Sequence, residues 1–227
     1  MSQENPLDNL IWNSLTSNHR HLGIIGEKAA IYDPQVSLLV GLKENTNEAW
    51  SELAELVPPG VPKAIGFKPP KNHQDWTLVR EANANQMIIE KPITFKEMQF
   101  ETLTASDVPQ MMELMKLTEA APFEQRTIAM GKYIGYKVDG KLVAMGGERA
   151  HPVGFVEISA IGTHPDFRRR GIGTAITGTL TNDIIERGEV PFLHVWAGNE
   201  PAFKCYKRLG YVTRIIAPVY FVMKPPR

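Results

Sequence analysis

Apolar positions recur along the chain with two spacings, and the spacing predicts the elements. Leu7, Leu10, Ile11 and Leu15 share one helical face. Apolar runs at 29–32 and 36–42, separated by Asp33-Pro34, read as short strands around a turn. Thr46 caps a predicted helix through Trp50, Leu53 and Leu56, which must stop at Pro58-Pro59-Gly60. Pro69-Pro70 precedes a helix expected around 76–87, and 88–97, with Pro92 inside it, reads as a linker. From Met98 the pattern tightens. Residues 100–103 read as a strand, and Ser106 or Asp107 is placed to cap a helix carrying Val108, Met111, Met112 and Met115. Asp139-Gly140 is a hairpin turn between strands at 133–138 and 142–148, and 155–163 is the next strand. Ile172, Ile176, Leu180 and Ile184 recur every four residues, with Gly188 as the C-terminal stop. A buried strand at 192–196, a short helix at 201–209 ended by Gly210, and strands at 211–214 and 219–223 close the chain. The order β-α-β-β-β-α-β-α-β-β predicts an α+β fold with a mixed, twisted sheet, not a regular βαβ repeat. It divides the chain into a small α/β region at 1–92 and a domain at 93–227.

Composition narrows the functional classes. Of 227 residues, 43% are hydrophobic and 22% charged, enough apolar material for a sizeable core. Lysine plus arginine, 25, balances aspartate plus glutamate, 25, which argues against a globally basic nucleic-acid binder. The single cysteine, Cys205, rules out an intramolecular disulfide and a cysteine-based zinc site. No apolar run approaches a membrane span, and the polar start lacks a signal-peptide core. A cytoplasmic protein without membrane or nucleic-acid partners is expected.

The most informative segment is 163–175, Thr-His-Pro-Asp-Phe-Arg-Arg-Arg-Gly-Ile-Gly-Thr-Ala. It leaves a strand, makes a basic glycine-rich turn and enters a helix. Helix N-termini carry unpaired N–H groups and partial positive charge, and glycine lets phosphates approach them. The physical reading is a pyrophosphate site; the bland one is a solvated arginine turn. A Walker A loop would need Gly-Lys-Ser/Thr, and a dinucleotide fingerprint would need glycine where Ile176 stands.

Arg168-x-x-Gly171-x-Gly173 after x-x-Pro165 resembles motif A of the GNAT superfamily of N-acetyltransferases. The segment from Asn199 through Ala202 and Tyr206 to Gly210-Tyr211 is similar to the family's N-x-x-A-x-x-x-Y-x-x-x-G-[FY] segment. The resemblance covers 98–227. One departure is Arg169, where many members carry glycine. The order and length of the whole chain also resemble glycine N-acyltransferase-like proteins, in which a degenerate acetyltransferase-like half comes first.

The resemblance implies acetyl transfer from acetyl-CoA to a primary amine of a small molecule or peptide, by direct attack, with no metal. It implies that Arg168, Arg169, Arg170, Gly171, Ile172, Gly173 and Thr174 hold the pyrophosphate, with Ile161, Gly162, Thr163, Asn199 and Tyr206 along the rest of the donor. The Ile161 N–H would stabilise the oxyanion and Tyr206 would protonate the departing thiolate. Glu157 would be the general base, its pKa raised by Phe155, Val156, Ile158 and Ile161, and His164 is the runner-up. Each has a duller reading: Glu157 in an ion pair, Gly162 under a packed side chain, Asn199 as a helix cap, Tyr206 as a core residue. Arg126 is expected to pair with Glu148 rather than hold a substrate carboxylate. A nucleophilic Cys205 is disfavoured because no histidine–carboxylate pair lies nearby in sequence. A catalytically silent acyl-CoA-binding regulatory module is the alternative, and pairing into a homodimer is left open.

Overall fold

The computed structural model describes residues 5–66 and 76–226. Its centre is a mixed sheet in the order β4-β11-β5-β10-β9-β8-β7-β6, comprising β4 (Pro62–Gly66), β5 (Thr77–Ile88), β6 (Glu101–Thr102), β7 (Tyr133–Val138), β8 (Lys141–Glu148), β9 (Phe155–Thr163), β10 (Val190–Trp196) and β11 (Val212–Met223). All neighbours are antiparallel except β9 and β10. A smaller antiparallel sheet joins β1 (Gly23–Ile25), β2 (Ala29–Tyr32) and β3 (Val40–Leu42).

The helices lie on the sheet through apolar stripes. In α4 (Ile172–Glu186), Ile172, Ile176, Leu180 and Ile184 are buried against Val156, Ile158, Leu193 and Val195 of β9 and β10. Strand side chains alternate between faces, so Glu157, Phe192 and His194 point to the opposite face. There Phe192 packs with Leu7, Leu10, Ile11 and Leu15 around α1 (Leu10–Leu15). The helix α3 (Val108–Thr118) covers β8 and β9 with Met111, Leu114 and Met115; Leu114 takes the place expected for Met112, which is exposed. Thr46 caps α2 (Asn47–Leu56), its Oγ1 accepting from the Ala49 N–H at 3.2 Å.

Three expectations change. Residues 77–88 form a strand, not a helix: Leu78, Arg80, Glu81, Ala82, Ala84, Gln86 and Met87 favour helix locally, but β10 and β11 supply hydrogen-bonding edges on both sides of β5. The two closing strands are one, β11, bent by an irregularity between Thr213 and Ile215. The cap before α3 is Thr104, which forms a capping box with Asp107 around a short 3-10 turn. Pro69-Pro70 lies outside the described residues.

The sheet runs across the boundary expected near 92, because β4 and β5 pair with strands from the C-terminal part. The segment read as a linker lies along α4: the Asn182 side chain bonds both the N–H and the carbonyl of Ile93, at 2.9 and 3.0 Å. The segment before β4 is tied down further by Arg126–Asp33 (2.6 Å), the partner Arg126 takes instead of Glu148, and by Thr127 Oγ1 to the Val36 carbonyl (2.7 Å).

Candidate active site

β9 and β10 pair only as far as Ile158 and Leu193; beyond, β9 keeps β8 and β10 keeps β5. The divergence has a local cause. Between the pairs Met145/Gly162 and Gly147/Ser159, β9 carries one more residue than β8, and Ala160 there has φ 54°. Such a bulge bends its strand and ends pairing. The gap is lined by residues 159–163 on one side and 194–196 on the other.

At the C-terminal end of β9 the chain makes a 3-10 turn (Pro165–Phe167) and enters α4. Gly171 is the N-cap with φ 80°, a left-handed conformation that glycine adopts without cost. Arg169 is also left-handed, φ 62°, at the position that departs from the family pattern. Among the described residues the N–H groups of Arg169 through Thr174 have no acceptor. They lie along a crevice of about 330 Å³ lined by Ile161, Thr163, Arg168, Gly173, Thr174 and Tyr206 among others. Arg168 Nε is anchored on the Thr163 carbonyl at 3.1 Å. The far wall is α5 (Glu200–Arg208), fastened to α4 by Thr174 Oγ1 and Cys205 Sγ, 3.2 Å apart. This contact gives Cys205 a packing role.

A second cavity, about 650 Å³, occupies the opposite side of the gap. It is bounded by residues 9–11, 37–42 and 64–66, by the chain after α3, and by β10 and β11. The crevice and the cavity share Ile161, Thr163, Arg168, Pro201, Ala202 and Tyr206. A ligand laid along the crevice therefore reaches the cavity between the β9 backbone and Tyr206. The Tyr206 hydroxyl has no hydrogen-bond partner among the described residues, and burial pushes its pKa up.

Most of the predicted donor residues meet in this crevice: Ile161, Thr163, Arg168, Arg169, Gly171, Ile172, Gly173, Thr174 and Tyr206. Three do not. Arg170 turns away, donating to the Asp166 carbonyl at 3.0 Å with its guanidinium 4.9 Å from the Phe167 ring centroid. Asn199 caps α5 by accepting from the Ala202 N–H at 3.3 Å and borders the second cavity. Gly162 also borders that cavity, and a Cβ there would lie 2.5 Å from Met115 Cε, so it marks the close approach of α3. His164 accepts from the Asp166 N–H at 3.3 Å and lines neither space.

Glu157 requires a correction. Its neighbours were expected to raise its pKa. Burial does push in that direction, but Arg149 and His194 outweigh it and hold the carboxyl well below the usual range. Arg149 clasps both oxygens, Nε to Oε2 at 2.9 Å and NH2 to Oε1 at 2.5 Å, and His194 Nδ1 donates to Oε1 at 2.7 Å. The side chain is fully buried. Beyond it, Arg214 Nε donates to Gln86 Oε1 at 2.5 Å, which turns the Gln86 amide nitrogen toward His194 Nε2 at 3.2 Å. The network orients the His194 ring between Glu157 and Gln86. Arg149 and His194 lie on the cavity floor. Neither His194 nor Gln86 was singled out in the sequence; a lone histidine inside the apolar run 192–196 is the signal that could have drawn attention.

Comparison with known proteins agrees with this geometry. The model of the FR47-like protein family matches residues 133–221. A solved GNAT-family structure from Novosphingobium aromaticivorans superposes with a TM-score of 0.90 at 29% identity, covering 98% of this chain and all of that one. A GCN5-related N-acetyltransferase from Kribbella flavida shares the fold, with a TM-score of 0.64 at 16% identity over 96% of this chain and 97% of its own. In sequence, the chain is 25% identical over 126 residues to the Escherichia coli K12 ribosomal protein bS18-alanine N-acetyltransferase, across 53% of this chain and 84% of that protein. The strand divergence, the free helix-terminal amides and these likenesses define an N-acetyltransferase. In fold, and over residues 133–221 in sequence, the chain is similar to the GNAT N-acetyltransferases.

Proposed function

We propose that the protein transfers the acetyl group of acetyl-CoA to a primary amine within a ternary complex. One observation carries the reading: a crevice lined with unpaired helix-terminal amides opens, between Ile161 and Tyr206, into a second cavity. The pyrophosphate of acetyl-CoA would take the amides of 169–174, supported by the Arg168 and Arg169 charges. The acetyl thioester would then lie at the junction, and the acceptor would approach from the cavity.

In the proposed step the amine nitrogen bonds the thioester carbon and the C–S bond breaks. The Ile161 N–H stabilises the oxyanion. Tyr206, a phenol protonated at neutral pH, delivers a proton to the departing thiolate. The nitrogen of the adduct gives up its extra proton, which restores Tyr206. Glu157 has no free oxygen and a low proton affinity, so we assign it a positioning role: it holds Arg149 and His194 on the floor of the acceptor cavity. The acceptor enters as the free base, favoured by apolar surroundings.

The test combines titration calorimetry with acetyl-CoA and a thiol-release assay over primary amines. Acetyl-CoA binding with amine-dependent thiol release is the expected result; binding with no release on any amine would favour a silent acyl-CoA-binding module. The pH profile of Glu157→Gln separates the two roles of that residue. A positioning role leaves the rise of kcat/KM with pH in place, following amine deprotonation near ~10, while loss of that limb would make Glu157 the base.

A further inference from the structure

The acceptor cavity carries information about the amine that enters it, and the following rests on the acetyl-transfer reading above. Its outer walls are apolar and come from distant parts of the chain: Leu39 and Val40 at β3, Ile65 on β4, Trp196 on β10, Val219 and Phe221 on β11. Trp196 and Phe221 stand with ring centroids 6.2 Å apart, and Trp196 is 41% exposed although it borders the cavity. Among the described residues this apolar surface is left unfilled.

The charges around the cavity are almost all committed. Arg149 is neutralised by the two oxygens of Glu157, so it offers little to a substrate carboxylate. Arg168 belongs to the donor crevice and is held on the Thr163 carbonyl. His194 spends Nδ1–H on Glu157 and faces Gln86 with Nε2. Glu119, at the end of α3, is exposed to solvent and screened by it. Arg80, exposed to solvent like Glu119, places its guanidinium 5.6 Å from the Phe221 ring centroid. A substrate with two or more cationic nitrogens would meet no row of carboxylates among the described residues, and a free amino acid would find Arg149 already paired with Glu157.

We propose that the acceptor is a compact monoamine whose single primary amino group is carried on an apolar body, of the alkylamine or arylalkylamine class, and that Trp196 and Phe221 are specificity residues for that body. A cavity of this size holds such a molecule beside the acetyl group.

The experiment first measures acetyl-CoA affinity, then kcat/KM by thiol release for phenylethylamine, hexylamine, phenylalanine, spermidine and a short peptide with a free N-terminal alanine. The expected order puts phenylethylamine or hexylamine at least about tenfold above phenylalanine, spermidine and the peptide. Trp196→Ala should raise KM for phenylethylamine about tenfold, with kcat and acetyl-CoA affinity unchanged. Ala121→Asp, which adds a carboxylate to the lining, should narrow the gap between spermidine and hexylamine. If acetyl-CoA binds and spermidine, phenylalanine or the peptide is the best acceptor, this inference is overturned while acetyl transfer stands. If acetyl-CoA binds and no amine reacts, the inference again falls. If acetyl-CoA does not bind, the proposed function itself fails.

Discussion

The donor crevice and the acceptor cavity meet at Tyr206 but are built in opposite ways. The crevice comes from two short stretches, 161–177 and 201–206, each continuous in sequence. Its key donors are backbone N–H groups, which depend on a helix starting at Gly171 and little on which side chains follow. The cavity is drawn from many separated stretches between residues 9 and 221, and its character is set by side chains. A site of helix-terminal amides can be kept while the rest of a chain changes; a site of converging side chains is remade with every loop. That contrast teaches where to look for common chemistry and where to look for selectivity.

The sharpest way to break the comparison is to damage one site and look for injury at the other. Gly173→Asp puts a carboxylate against the free amides; a Cβ there meets nothing closer than Thr163 Oγ1 at 3.7 Å, so the fold should survive. Acetyl-CoA affinity should fall at least about 100-fold by calorimetry, equivalent to about 2.7 kcal/mol. Unchanged affinity would remove the pyrophosphate site from this turn. Tyr206→Phe tests the junction itself. It should lower kcat about 100-fold while acetyl-CoA affinity stays within about twofold, since a general acid acts only in the transition state. An equal loss in binding would make Tyr206 a donor contact instead.

Stability distinguishes the two regions again. Leu180, fully buried between α4 and the sheet, should cost about 2–5 kcal/mol as Leu180→Ala in a denaturant melt, with the crevice lost only through unfolding. On the cavity side, His19 is buried between the Tyr32 hydroxyl (2.8 Å) and the Met130 carbonyl (2.9 Å), and burial lowers its pKa to about 4. The folded state therefore binds fewer protons than the unfolded state between about 6.5 and 4. The resulting stability is complete above about 6.5 and is lost as pH falls through that window, by at most about 1.4 kcal/mol per unit. His19→Gln should flatten that slope; an identical slope in the variant would assign the acid sensitivity elsewhere. The smallest effect expected is for Arg169→Gly. Relief of a left-handed arginine, worth about 1 kcal/mol, is offset by the entropy glycine adds to the unfolded chain, so the melting midpoint should barely move.

Much of this was legible in the residues. The four-residue recurrence of Ile172, Ile176, Leu180 and Ile184 specified α4 and its buried stripe, and the arginine–glycine turn before it lines a crevice. Both depend on neighbours in sequence, where periodicity and capping act. Three features were not legible for the opposite reason. β5 reads locally as helix and became a strand only because β10 and β11 offered edges to either side. Glu157 sits among apolar neighbours that predict a raised pKa, yet Arg149 and His194, brought in across strands, reverse the sign. The acceptor chamber exists in no segment at all. Sequence determined the elements and the amide turn, because those energies are local; tertiary structure alone decided the charge state of Glu157 and the shape of the acceptor space, because those come from groups that only folding brings within a few ångströms of one another.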